Sequence, residues 1–164
     1  MKTVYLIGGT MGVGKTAVCQ ALKKTLSNCV FLDGDWCWDA HPFHVTDETR
    51  AMVEQNICFL LNQFIRCSVY ENVVFCWVMH MQGIIDSILA NIDTESCRVV
   101  PISLVCNPET LRERLQKDID SGIRSADVLE RSIARIPLYE KLDTIKIRTD
   151  GKGVQEIAEH IAVL

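Results

Sequence analysis

Gly9 to Thr16 reads G-T-M-G-V-G-K-T and satisfies the spacing G-x-x-x-x-G-K-[S/T] at each fixed position. A chain that wraps a phosphate must turn its backbone N–H groups inward, and glycines at 9, 12 and 14 lack the Cβ that would obstruct that turn. With Thr10, Met11 and Val13 at the variable positions, the whole stretch is expected to bind nucleotide. Lys15 is placed to reach the β- and γ-phosphates as a point charge, and the Thr16 hydroxyl to ligate the Mg²⁺ that neutralises them. A helix starting at Lys15 adds its positive end to the same site.

The flanking residues supply the setting that such a loop requires. Thr3 to Ile7 (T-V-Y-L-I) is a β-branched and aromatic run that reads as a buried parallel strand, and Val18, Ala21, Leu22 and Leu26 recur at helical spacing. Strand, loop and helix therefore follow in order. A glycine-rich hairpin turn is the bland alternative, and it accounts for neither flank.

At 164 residues the chain suits one domain spanning 1–164. Hydrophobic residues make up 48% and charged ones 23%, which argues against a disordered or fibrous class. The net charge of −4 argues against a general nucleic-acid binder, and no apolar run approaches the ~18 residues of a membrane span. Eight cysteines contain no C-x-x-C pair and fall mostly within apolar runs, so a reducing, cytoplasmic compartment is expected. Cys37, His41 and His44 do not match the spacing of a zinc finger or ribbon.

Further along, Cys29 to Asp33 reads as a second strand, Asn72 to Met79 as a third, Arg98 to Val105 as a fourth and Thr144 to Thr149 as a fifth. Helical stripes intervene over 46–67, 84–89, 108–122, 124–141 and 154–163. The alternation predicts an α/β chain: a parallel sheet with helices on both faces and right-handed crossovers.

Ligands of open α/β sheets sit beyond the carboxyl ends of the strands. The residues at those ends include Asp33 and Asp35 after the second strand, His80 after the third and Asp150 after the fifth. A magnesium nucleotide needs a hard oxygen ligand and an attacking hydroxyl needs a base, and Asp33 and Asp35 can divide those roles. Arg124, Arg131 and Arg135 recur at helical spacing and predict a cationic stripe able to close on transferring phosphate. Trp36 opens an aromatic loop over 36–46 that is expected to line a pocket, with Arg50 on the apolar face of the following helix and in need of an anionic partner.

Together, G-T-M-G-V-G-K-T, the acid pair in F-L-D-G-D and N-P-E-T-L-R-E-R-L resemble the small P-loop kinases of the nucleoside monophosphate kinase and shikimate kinase-like group. The resemblance implies a three-layer P-loop fold with a five-stranded parallel sheet in the order 2-3-1-4-5 and a small helical lid near 117–137. It implies ATP and Mg²⁺ as cofactors, Arg114 packed on the adenine, lid arginines among Arg124, Arg131 and Arg135, and Asp35 at the acceptor hydroxyl. The implied activity is transfer of the γ-phosphate to a small-molecule or nucleotide acceptor, by a monomer or homodimer. The loop 36–46 matches no acceptor motif of that group, and the third strand lacks the usual Mg²⁺-ordering Asp, so Asp33 would take its place. A nucleotide-dependent switch or ATPase acting on a protein partner is the alternative, although the chain holds neither N-K-x-D nor an apolar run ending in Asp-Glu.

Overall fold

In the computed structural model, which describes residues 1–164, apolar strands form the centre and amphipathic helices cover both of their faces. The elements in chain order are β1 (Lys2–Gly8), α1 (Lys15–Thr25), β2 (Cys29–Asp33), a 3₁₀ turn (Gly34–Cys37), α2 (Asp47–Arg66), β3 (Asn72–Cys76), α3 (Gln82–Asn91), β4 (Cys97–Val105), α4 (Pro108–Asp120), α5 (Val128–Glu140), β5 (Ile145–Arg148) and α6 (Val154–Ala162). All strand pairs are parallel and the sheet order is β2-β3-β1-β4-β5, as expected.

The two-residue period of a strand divides the core. From β1, Tyr5 and Ile7 join a cluster with Val18, Cys19 and Leu22 of α1, Leu111 and Leu115 of α4, and Ile157 and Ile161 of α6. Val4 and Leu6 point the other way, toward Val53, Ile57 and Leu61 of α2 and Ile85 and Ile88 of α3. Each strand residue thus commits to one layer.

Pro101, which removes one ladder donor, is accommodated by the register. It lies opposite Leu6 of β1, while β5 pairs with β4 only from Ile102 onward.

Two expectations are corrected. The third strand ends at Cys76 rather than Met79, because beyond that point the backbone turns out of the sheet and Met79 takes a φ of +39°. The helix expected over 124–141 starts at Val128. Arg124 instead belongs to the turn that closes α4, where the N–H groups of Ile123 and Arg124 both donate to the Asp118 carbonyl, at 2.8 and 3.3 Å.

Tertiary packing fixes the phosphate-loop sequence. Gly12 has φ +85°, and a Cβ built there would lie 2.6 Å from Leu115 Cδ2 and 2.8 Å from its Cγ. Gly12→Ala is therefore expected to combine backbone strain with overpacking and to destabilise the chain by about 1–3 kcal/mol. The shift in urea unfolding midpoint measures it, and an unchanged midpoint would show that α4 gives way freely.

Candidate active site

The loop between β1 and α1 places Lys15 under the sheet's carboxyl edge. Its Nζ donates to the carbonyls of Gly9 at 2.8 Å and Thr10 at 3.1 Å. Burial pushes its pKa below the ordinary lysine value, opposed by nearby Cys76, Asp35 and Asp33. The Thr10 hydroxyl donates to the Ser132 carbonyl at 2.7 Å, tying the loop to α5.

Asp33, at the end of β2, is buried and accepts from the Thr16 hydroxyl at 2.7 Å through Oδ2 and from the Asp35 N–H at 3.1 Å through Oδ1. Thr16 and Asp33 thus present two hard oxygens side by side, a donor set that fits Mg²⁺. Asp35 lies on the following 3₁₀ turn. Burial raises its carboxyl above the ordinary aspartate range and the Asp33 charge raises it further, while Lys15, the Trp77 indole N–H and Arg124 act in the opposite sense. The glycine between the two acids is required by contact, since a Cβ at Gly34 would sit 2.6 Å from the Trp77 ring.

Lys15, Thr16, Asp33, Asp35 and Arg124 line one cavity of about 200 Å³, with Gly12, Gly14 and Met11 on its loop side. Asp118 also lines it and was not foreseen; its Oδ2 accepts from Arg124 Nε at 2.9 Å. This ion pair orients Arg124 toward the phosphate loop. Its only sequence signal is an acid six residues upstream, which no helical spacing would select.

Arg114 donates to the Val13 carbonyl at 3.2 Å, to the Thr149 hydroxyl at 2.9 Å and to the Thr149 carbonyl at 3.1 Å. It therefore braces the phosphate loop against the end of β5. Asp150 accepts the Asn107 N–H at 2.8 Å and pairs with Arg148 at 2.9 Å, so its carboxylate organises the start of α4.

Other expected residues are dispersed. Arg131 is exposed and lines neither this cavity nor the neighbouring one, and because α5 begins after Arg124 the anticipated stripe loses its first member. Arg50 is not buried: its side chain is 69% exposed, and Asp47 on the first turn of α2 lies 3.7 Å away. Trp36 is 58% exposed and meets Phe31 edge-on at 5.2 Å, outside both cavities. Cys37, His41 and His44 do not gather into a metal-binding cluster.

His80 lines a second cavity of about 390 Å³, together with Trp38, Trp77, Met79, Arg50 and Arg135. Val78 belongs to both linings, so the two cavities adjoin just beyond β3. Trp38, Trp77 and Arg135 were the residues that sequence reasoning underweighted there.

The model of a family described as the AAA domain matches residues 6–135. A comparison with curated proteins finds no match. Among solved structures, a gluconokinase from Sinorhizobium meliloti 1021 superposes with a TM-score of 0.72 at 16% identity, covering 98% of this chain and 90% of its own. A tunicamycin resistance protein from Deinococcus radiodurans gives 0.72 at 18% identity, covering 99% and 95%. Shikimate kinase from Aquifex aeolicus vf5 gives 0.65 at 16% identity, covering 98% and 94%. The fold is shared with all three.

Proposed function

The chain belongs to the AAA domain family, and on that premise we propose that it is an ATP-dependent phosphotransferase that moves the γ-phosphate to a small-molecule or nucleotide acceptor. The observation that carries this reading is the meeting of Lys15, the Asp33–Thr16 pair, Asp35 and Arg124 in one cavity that adjoins a second at Val78. A hydrolysing switch needs room only for water, whereas two adjacent cavities suit two substrates. Two of the similar structures are named as kinases, which supports the same reading.

In this reading the backbone N–H groups of Gly9 to Thr16 cradle the phosphates, and Lys15 leaves the Gly9 and Thr10 carbonyls to meet the β- and γ-oxygens. Thr16 and Asp33 hold Mg²⁺, which neutralises phosphate charge when bound. Asp35 accepts the proton of the acceptor hydroxyl as its oxygen bonds to the γ-phosphorus and the bond to the β-phosphate oxygen breaks, releasing ADP. Arg124, aimed by Asp118, balances charge on the transferring group. Arg114 supports the adenine side of the phosphate loop.

We take residues 1–164 as one kinase-like domain with its lid near 117–137, acting as a monomer or homodimer. All eight cysteines are free, which supports a reducing, cytoplasmic setting, and no helix is long and apolar enough to cross a membrane. The test is ADP release from purified protein, ATP and Mg²⁺ across hydroxyl, carboxyl and phosphate acceptors. At least one acceptor is expected to raise the rate well above that with water. Acceptor-independent hydrolysis stimulated by a protein partner would favour the switch reading instead.

A further inference from the structure

The second cavity is suited to a narrower class of acceptor than the fold requires. Its walls are mainly apolar, built from Trp38, Val53, Trp77, Met79 and Ile84. The charged groups facing it are Arg50, Glu54 and Arg135, with His80 as the titratable ring. Arg50 has Asp47 at 3.7 Å, and Glu54 accepts from the Ser87 hydroxyl. Arg135 forms no ion pair and donates no hydrogen bond within the chain, although it is half-buried. Burial, and then the Arg135 charge, hold the His80 imidazole below its ordinary pKa, so Arg135 supplies the unspent positive charge.

We propose, building on the phosphotransferase reading, that the acceptor is a hydroxylated compound with a flat aromatic body and a single anionic group. The aromatic body packs on the Trp38, Trp77 and Met79 wall, and the anionic group pairs with Arg135. The hydroxyl reaches past Val78 to Asp35, which the Trp77 indole N–H adjoins. A polyol acid would find partners for its hydroxyls only at Glu54, His80 and the arginines and would set the rest against tryptophan, methionine and valine, losing roughly tenfold or more in affinity for each one left unpaired. A phosphate monoester would bring two negative charges to Arg135 with Glu54 close by, the other guanidinium, Arg50, being mostly in water beside Asp47.

The experiment pairs ADP release with quenching of tryptophan fluorescence, using hydroxymethylbenzoate, hydroxyphenylacetate, benzyl alcohol, gluconate, shikimate and a nucleoside monophosphate as probes. The aromatic hydroxy acids are expected to quench, and to give kcat/KM about tenfold or more above the polyol acids and the nucleotide. R135Q is expected to lower kcat/KM for hydroxymethylbenzoate by roughly ten- to a hundredfold, chiefly through KM, with R135K restoring part of it. The effect on benzyl alcohol should be far smaller. A polyol acid or nucleotide as the best acceptor overturns the aromatic class while leaving the phosphotransferase reading intact. Quenching by the aromatic acids with no ADP release from any probe overturns the transfer reading and the acceptor role together. Neither quenching nor turnover with the aromatic acids up to about 10 mM, a concentration that would detect even millimolar affinity, overturns the proposed site itself.

Discussion

Lys15→Ala is expected to lower phosphoryl transfer by about 10³-fold or more while leaving thermal stability unchanged or slightly raised. The two effects have one origin. The Lys15 ammonium is buried, with the carbonyls of Gly9 and Thr10 as partners and no carboxylate within ion-pair distance. Removing a water-exposed lysine would cost little stability, and removing a buried, carbonyl-bonded one relieves desolvation at the cost of two charge-assisted hydrogen bonds. In the reaction, however, its charge meets oxygens that become more negative, so its contribution is largest in the transition state. Single-turnover rates with saturating nucleotide, set beside a thermal melt, separate the two. A tenfold or smaller loss in rate would remove Lys15 from the transition state, and a large drop in melting midpoint would make it a structural residue of the loop.

The phosphate loop, the α/β alternation and the acid pair are legible from local sequence because each is encoded within a few neighbouring residues. What escaped lies where residues distant in sequence meet. Val73 to Met79 is continuously apolar, yet only its first part is strand; Trp77 and Met79 wall the second cavity. A buried strand and a pocket wall make the same demand on composition. The departure is set by contacts that no local reading supplies: the Trp77 N–H reaches the Ile7 carbonyl at 3.2 Å, and Val78 accepts both the Gly9 N–H at 3.3 Å and the Tyr139 hydroxyl at 2.6 Å.

Charge was harder to place than apolarity. Helical spacing put Arg124, Arg131 and Arg135 on one stripe, but the turn around Gly122 and Ser125 restarts the helix at Val128 and takes Arg124 off it, while Arg131 and Arg135 stay one turn apart on α5 and only Arg135 reaches the second cavity. Arg124 enters the phosphate cavity, Arg135 enters its neighbour and Arg131 faces solvent. Arg50 lines the second cavity yet keeps most of its side chain in water, because a long side chain at the start of a helix bends outward more cheaply than it enters the core. A basic residue's periodicity gives the direction of its Cα–Cβ bond, and its flexible stem then decides where the charge goes.

Asp35→Asn is expected to lower kcat by roughly 10²- to 10³-fold while leaving the dissociation constant for ATP within about threefold. The substitution keeps shape and polarity beside Trp77 and removes only the ability to take a proton. Asp33 is a different case, since its oxygens are already engaged by the Thr16 hydroxyl and the Asp35 N–H, and its loss should weaken metal and nucleotide binding together. The pH profile distinguishes a base from a mere hydrogen-bond acceptor. Burial, then the Asp33 charge, raise the Asp35 carboxyl above the ordinary aspartate value, so the protonated, inactive form persists to higher pH than for a free carboxyl. The rate should therefore be full above that raised pKa and fall as pH drops through it, with the acidic limb displaced upward from the usual carboxylate range. Asp35→Asn should abolish that limb, leaving a low and nearly pH-independent rate across it. If the limb survives the substitution, the titrating group is elsewhere; if ATP binding falls well beyond about threefold, Asp35 holds the nucleotide and the acceptor must be activated by another residue.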